Sequence, residues 1–164
     1  MIKFSKILFP VDLSEISSII APYVIEIADK LGAEIHILFV ARSLTFYRDL
    51  LVPASSIYDF EKEIAAGGQS KLKDFVEDAF KGRQVKVEIK RGDPSEIIME
   101  YAKSMGMDMI VMGTHGRKGL DRVLFGSVAE AVVTKANVPV VTINPYRVIK
   151  GGLAKSNEPQ IDLL

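Results

Sequence analysis

Segments with the apolar pattern of strands and segments with the apolar pattern of helices follow each other in turn along this chain. Solidly apolar runs at 7–11 and 109–112 have the composition of parallel strands that are buried on both faces. Further strands are predicted at 34–40, 85–89 and 138–143. The stretches between them repeat apolar residues every three or four positions, which indicates helices with one buried face. Strands that alternate with helices predict an α/β domain built on a five-stranded parallel sheet.

The first two helices are predicted from periodicity. One begins near Ile16, continues through Pro22, where a kink or an unpaired carbonyl is expected, and ends at Gly32. The other is predicted at 59–81. Before it lies a long connection, 41–58, with aromatic residues and leucines. A connection of this length is commonly a lid, a binding loop or a partner surface, and packing over the sheet edge is an equal alternative.

The last two helices have marked starts. Asp93 is predicted as an N-cap with Pro94 at the first helical position, and Gly106 ends that helix. Ser127 and Glu130 have the spacing of a capping box. The last helix is therefore predicted to begin at Ser127.

The strand patterns also predict the order of the sheet. The strand at 85–89 alternates apolar and polar residues and the strand at 138–143 is short and contains a proline, so both are expected at edges. With right-handed crossovers the order is 3-2-1-4-5, a doubly wound sheet. Ligands bind such sheets outside the carboxyl ends of the strands, at the switch point between strands 1 and 4. Asp12 and Gly113 follow those two strands, so one site is expected to contain both.

A glycine-rich segment joins the fourth strand to the last helix. Glycines at 113, 116, 119 and 126 are accompanied by three cations, Arg117, Lys118 and Arg122. A strand, a glycine loop and a helix N-terminus together favour phosphate, because the backbone approaches the anion closely and its N–H groups point at it. The segment is neither a Walker A loop nor a dinucleotide fingerprint. The alternative for this segment is a plain turn in which Ser127 is only the helix cap. The alternative for Asp12 is that it only starts the first helix, in a capping box with Glu15.

Composition narrows the classes of function. The chain has 164 residues, 48% of them hydrophobic, which fits one domain with a sizeable core. Lys+Arg and Asp+Glu both number 21, which argues against a nucleic-acid binder. Cysteine is absent, which excludes disulfides, thiol catalysis and thiolate metal sites. No apolar stretch approaches the roughly 18 residues of a membrane span, and the first residues run directly into a strand, so a soluble cytoplasmic protein is expected.

Neither histidine is predicted to be catalytic. His36 lies within a strand and is interpreted as a hydrogen-bonded structural residue. His115 lies in the glycine loop, where nothing nearby in sequence orients it as a base. It is interpreted as loop structure or a neighbour of phosphate.

The loop has the spacing G-x2-G-x9-G-S from Gly113 to Ser127, which resembles the nucleotide-binding signature of the universal stress protein family. The resemblance covers about residues 3 to 145. It includes Ile-Leu-Phe-Pro-Val-Asp at the first strand, Gly-Asp-Pro before the third helix, Gly-Ser-Val at 126–128 and Val-Pro-Val-Val from Val138. It implies a fold like that of adenine nucleotide alpha-hydrolases over residues 1–145, with a tail at 146–164.

Because the full glycine pattern is present, the chain is similar to the ATP-binding branch of that family. The resemblance implies that Asp12 contacts the ribose and that Val11 and Val40 flank adenine, with Val40 offering backbone hydrogen bonds. Gly113 and Gly116 would line the ribose and phosphates, and the start of the last helix would hold the phosphates. ATP would carry Mg²⁺ or Mn²⁺ on its phosphates, with no metal site in the protein itself. The implied binding residues are Pro10, Val11, Asp12, Val40, Met112, Gly113, His115, Gly116, Arg117, Gly126, Ser127 and Val128.

Three classes of function remain open. The favoured one is an ATP-binding regulatory protein of the stress response, with slow hydrolysis left open. The second is a nucleotide hydrolase or nucleotidyl-transfer enzyme. No water-positioning residue is evident for it, and the Ser-Gly-Gly-x-Asp-Ser loop of the related ATP pyrophosphatases is absent after the first strand. The third is a dimeric interaction protein with an empty pocket. A homodimer through the apolar edge strand at 138–143 is expected, without nucleic-acid or membrane partners.

Overall fold

The computed structural model describes residues 1–42, 54–114 and 125–148, with side chains in the second range described from residue 67 onward. Within these residues strands and helices alternate along the chain. The strands are β1 (Lys6–Val11), β2 (Glu34–Arg42), β3 (Lys86–Gly92), β4 (Met109–Gly113) and β5 (Val140–Ile143). The helices are α1 (Glu15–Leu31), α2 (Ala54–Ala79), α3 (Pro94–Ser104) and α4 (Ser127–Lys135).

The strands form one parallel sheet in the order β3-β2-β1-β4-β5, which confirms the predicted topology. β1 lies in the middle, with Phe9 opposite Ile37 of β2 and Leu8 opposite Ile110 of β4. β3 is an edge strand with mostly exposed residues, as its alternating sequence predicts. The central strands β1 and β4 are almost entirely buried.

Each face of the sheet has its own hydrophobic core, because neighbouring side chains of a strand point to opposite faces. Phe9 and Val11 pack with residues of α1 and α2 on one face. Leu8 packs with residues of α3 and α4 on the other. This two-sided burial explains why β1 and β4 are continuous apolar runs in the sequence.

Helix α1 runs without a break through Pro22, from Glu15 to Leu31. Proline has no N–H to donate to the carbonyl of Ser18, one turn earlier. Both residues are exposed, so water can bond that carbonyl. The helix ends where predicted, because Gly32 adopts the left-handed conformation with φ of 62° and its N–H bonds back to the last turn.

The connection predicted at 41–58 is too long. β2 continues to Arg42 and α2 begins at Ala54, five residues before the predicted helix start. Only residues 43–53 remain between these two elements, and they lie outside the described residues. The proposed lid or partner surface therefore stays a prediction.

The two marked helix starts had different outcomes. Asp93 is the N-cap of α3, and its Oδ1 accepts hydrogen bonds from the N–H groups of Ser95 (2.9 Å) and Glu96 (3.1 Å). Helix α4 begins at Ser127 as predicted, but the predicted capping box is wrong. Gly126, which has no side chain to cap with, is the N-cap, and Ser127 is the first helical residue.

The chain remains ordered past β5. Residues 145–148 form a helical turn, which begins where the side chain of Asn144 accepts hydrogen bonds from the N–H groups of Tyr146 and Arg147. Val148 packs against the core on the α1–α2 face. The fold thus extends at least three residues beyond 145. In the ranges that the structure describes, no helix combines the length and apolarity needed to cross a membrane.

Candidate functional site

A crevice opens at the carboxyl ends of β1 and β4. In the described residues, these strands pair as far as Leu8 and Ile110, and the ladder does not continue to their ends at Val11 and Gly113. The chain leaves β1 toward α1 on one face and leaves β4 toward α4 on the other. This is the switch point at which doubly wound sheets bind ligands.

Asp12 forms a tight turn on the β1 side of the crevice. Its Oδ1 accepts hydrogen bonds from the backbone N–H of Ser14 (3.0 Å), from the Ser14 hydroxyl (2.6 Å) and from the Ser17 hydroxyl (3.0 Å). The Asp12 N–H donates to Ser17 Oγ at 3.3 Å. Between them Leu13 has φ of 58°, the one positive value at a non-glycine residue in the described ranges. The aspartate therefore organises the turn between β1 and α1.

The alternative reading of Asp12 as a helix cap paired with Glu15 is wrong. The N-cap of α1 is Ser14, and its side chain makes no capping hydrogen bond. Instead the Ser14 hydroxyl turns back to the Asp12 carboxylate. A carboxylate two residues before a serine N–H is the arrangement of an Asx turn, and that geometry replaces the capping box here.

The other side of the crevice is formed where β4 meets α4. The N–H of Thr114 donates to the carbonyl of Ile143 (2.9 Å), and the N–H of Gly126 donates to the carbonyl of Thr114 (2.7 Å). The two ends of the glycine loop are therefore held together, and the N-terminus of α4 lies at the carboxyl end of β4. Gly126 has φ of −72° and ψ of 158°, a conformation open to any residue. If glycine is required at this position, the reason is that a side chain would not fit there and not the backbone conformation.

The apolar residues of the predicted site lie mostly on one face of the sheet. Val40 and Met112 are buried in the core on the α3–α4 face, and Val128 packs against the same core. Pro10 points to that face by strand alternation. Val11 belongs to the opposite core, so its side chain and that of Val40 face away from each other.

The remaining predicted binding residues, His115, Gly116 and Arg117, lie outside the described residues. The structure brings Asp12, Gly113, Gly126 and Ser127 to the same edge of the sheet through the topology and hydrogen bonds above. In the described ranges no group of three or more His, Asp or Glu side chains could hold a metal ion.

Three polar residues build this edge in ways that were not predicted from the sequence. Ser14 and Ser17 hold Asp12, and Thr114 links β4 to α4. The Asp-x-Ser spacing at 12–14 is a signal for an Asx turn and could have identified Ser14. Ser17 and Thr114 have no such signal, because their contacts depend on how the chain folds around them.

His36 lies away from the crevice. It is fully buried in β2, and its Nδ1 is 3.0 Å from the hydroxyl of Tyr101 in α3. Its Nε2 is 3.4 Å from Glu34 Oε1 and finds no hydrogen-bond partner among the described residues. The interpretation as an internal structural residue fits this position, although its hydrogen-bond partner is distant in sequence.

Comparisons with known proteins agree with this architecture. A family model described as the universal stress protein family matches residues 3–144. Universal stress protein MJ0531 of Methanocaldococcus jannaschii is 34% identical over 142 residues, which are 85% of this chain and 82% of that protein. Universal stress protein MJ0577 of the same organism is 32% identical, over 87% of this chain and 96% of that protein.

A solved structure gives the same result at the level of the fold. Universal stress protein UspA from Lactobacillus plantarum is 26% identical, with a TM-score of 0.75 over 88% of this chain and all of that one. The order of the sheet, the crevice and the sequence matches are thus consistent with one another. This chain belongs to the universal stress protein family.

Proposed function

We propose that this protein is a cytoplasmic regulator of the stress response that binds ATP in the crevice between β1 and β4. The observation that carries the proposal is the hydrogen bond from the Gly126 N–H to the Thr114 carbonyl. It holds the N-terminus of α4 at the end of β4, the strand next to β1, which Asp12 follows. The output of binding would be a change of conformation or of partner.

The start of α4 suits phosphate groups. The first turn of any helix has N–H groups without intrahelical acceptors, and the helix dipole favours negative charge there. The N-cap of α4 is Gly126, which has no side chain to occupy these donors, and the hydroxyl-bearing Ser127 is exposed. Gly126 adopts a conformation that needs no glycine, and the absence of a side chain there would let a phosphate approach the backbone closely. Mg²⁺ or Mn²⁺ would bind through the phosphates.

The opposite side of the crevice suits a nucleoside. Asp12 offers a carboxylate that can accept hydrogen bonds from ribose hydroxyls, with a net value of about 1 kcal/mol each. Val40 and Met112 lie near the carboxyl ends of β2 and β4, on the face that carries α4, and supply apolar surface for a base. Binding sites for small molecules combine such apolar surface with a few placed polar groups.

A homodimer through β5 is part of the proposal. β5 pairs with β4 on one side, and in the described residues no strand covers its other edge. Val140 and Val141 are only half-buried there, and Val133 of the adjacent α4 is 45% exposed. An apolar edge strand of this kind tends to be paired or covered. Static light scattering at micromolar concentration should give the mass of a dimer, and a monomer mass would remove this part.

Substitution of Gly126 tests the phosphate site. Gly126→Ala and Gly126→Val add side chains of increasing size without straining the backbone, so ATP affinity should fall in that order and vanish with valine. Gly67→Ala is the matched control, because Gly67 is exposed in α2 with nothing within 4 Å of an added Cβ. Its affinity should equal that of the unmodified protein.

Isothermal titration calorimetry with Mg-ATP measures the affinities, and circular dichroism checks that each variant is folded. Undiminished affinity in a folded Gly126→Val variant would show that the glycine loop is not the phosphate site.

A further inference from the structure

We propose that Ser17 is a positioning residue of the nucleotide site, which fixes the Asp12 carboxylate in the orientation that recognises ribose. The inference rests on the proposed binding of ATP and concerns how the site selects its ligand. Ser17 would not touch the nucleotide. It would act through Asp12, and its effect on affinity should disappear when Asp12 is removed.

The contacts of Ser17 single it out among the serines of α1. Its side chain is only 4% exposed, whereas the next residue, Ser18, is exposed. Its hydroxyl donates to Asp12 Oδ1 (3.0 Å) and accepts from the Asp12 N–H (3.3 Å). One hydroxyl therefore bonds both the backbone and the carboxylate of Asp12. Ser17 lies in the first turn of α1, three residues after the N-cap Ser14, so its hydroxyl can reach back to the end of β1.

The backbone beside Asp12 indicates that the turn is held under constraint. Leu13 has φ of 58°, in the left-handed region that leucine rarely adopts. Such conformations persist only where surrounding contacts determine them, and they cluster at ligand sites. The bonds that Asp12 makes to Ser14 and Ser17 are among these contacts. They restrict the carboxylate to one rotamer before any ligand arrives.

Preorganisation of this kind should appear as selectivity for ribose. A carboxylate held in one rotamer loses little freedom when it accepts hydrogen bonds from a ligand. Without the Ser17 hydroxyl, Asp12 can adopt other rotamers and the ribose contact weakens. The phosphates bind elsewhere, at α4, and their contribution should not change. Ser17→Ala should therefore reduce affinity for ATP more than affinity for a nucleotide without ribose hydroxyls.

The test compares ATP with 2′,3′-dideoxy-ATP by calorimetry. The unmodified protein should prefer ATP by about fivefold or more, which corresponds to the loss of at least one hydrogen bond of about 1 kcal/mol. Ser17→Ala should lower that ratio toward one, and Asp12→Ala should abolish it. The double variant Asp12→Ala/Ser17→Ala should match Asp12→Ala, since a residue that acts through another shows no effect without it. Ser18→Ala is the control and should leave the ratio unchanged.

Each outcome decides between the two proposals. If the unmodified protein binds neither nucleotide, the proposed function fails and the inference falls with it. If it binds ATP selectively and Ser17→Ala keeps the same ratio, the inference alone is overturned. Should Ser17→Ala unfold, Ser14→Ala replaces it, because that change removes the 2.6 Å hydroxyl bond to Asp12 from a half-buried residue. The same fall in ratio is then required.

Discussion

Gly68 in α2 offers a sharp test of how the helix packs on the sheet. A Cβ added at Gly68 would lie 2.6 Å from Cε1 of Phe39 and 3.4 Å from its Cδ1. Carbon atoms in contact normally stay about 3.5–4.0 Å apart, so the ring or the helix must shift by about 1 Å. Phe39 is only 9% exposed and lies opposite Val11 at the end of β1. The strain would therefore reach the rim of the crevice.

The expected cost follows from two opposing effects. Overpacking a core typically destabilises by about 1–3 kcal/mol. Replacing a helical glycine by alanine stabilises by about 0.8–1 kcal/mol. Gly67→Ala gains the second effect without the first, because nothing lies within 4 Å of its added Cβ. The difference between Gly68→Ala and Gly67→Ala should therefore be about 1–3 kcal/mol, the overpacking alone.

Urea unfolding followed by circular dichroism measures this difference, provided that both variants keep the same m-value. Gly67→Ala should raise the midpoint and Gly68→Ala should lie clearly below it. If both variants were stabilised equally, Gly68 would not contact Phe39, and the described packing of α2 on β2 would be incorrect.

Three further substitutions or conditions have defined outcomes. Burial lowers the pKa of His36 below its usual 6.5, so on acidification the folded state binds fewer protons than the unfolded state. The free energy of unfolding should therefore fall as the pH drops below about 6.5. Thermal melts between pH 5 and 8 should show a weaker dependence of stability on pH in the His36→Gln variant than in the unmodified protein. Asp108 Oδ2 accepts hydrogen bonds from the N–H groups of Ser5 (2.7 Å) and Lys6 (2.9 Å), and Asp108→Ala removes this acceptor from both. The substitution should therefore lower the free energy of unfolding in urea by about 2–3 kcal/mol, and an unchanged free energy of unfolding would contradict this role. Asp93→Ala should cost about 1 kcal/mol through loss of the α3 cap, and an unchanged urea midpoint would refute the capping role.

Much of the fold followed from sequence because burial and topology leave clear patterns. The alternating residues of β3 and the continuous apolar runs of β1 and β4 were enough to order the sheet. Asp93 was identified because a local cap uses residues two and three positions away. The N-cap of α4 was assigned to the wrong residue for the opposite reason. A bond between Gly126 and Thr114, across a loop, is formed where this helix begins, and a local Ser-x-x-Glu pattern does not encode it.

The site was predictable in outline and not in detail. That Asp12 and Gly113 share an edge follows from the strand order. A turn at 12–14 was predicted, but the left-handed conformation of Leu13 within it was not, because a left-handed residue is normally expected to be glycine. Ser17 was equally hidden, since a serine on the buried side of a helix gives no sign that its hydroxyl reaches back to a strand end.

The central claim is that this protein binds ATP, and a titration of the unmodified protein with Mg-ATP tests it most directly. Calorimetry should show saturable binding at one site per chain. At a nucleotide concentration about 100-fold above the dissociation constant, linkage predicts a stabilisation of about 2.7 kcal/mol. For a chain of this size, that is a rise in melting temperature on the order of 5–10 °C. A flat titration and an unchanged melting temperature at millimolar Mg-ATP would contradict the account.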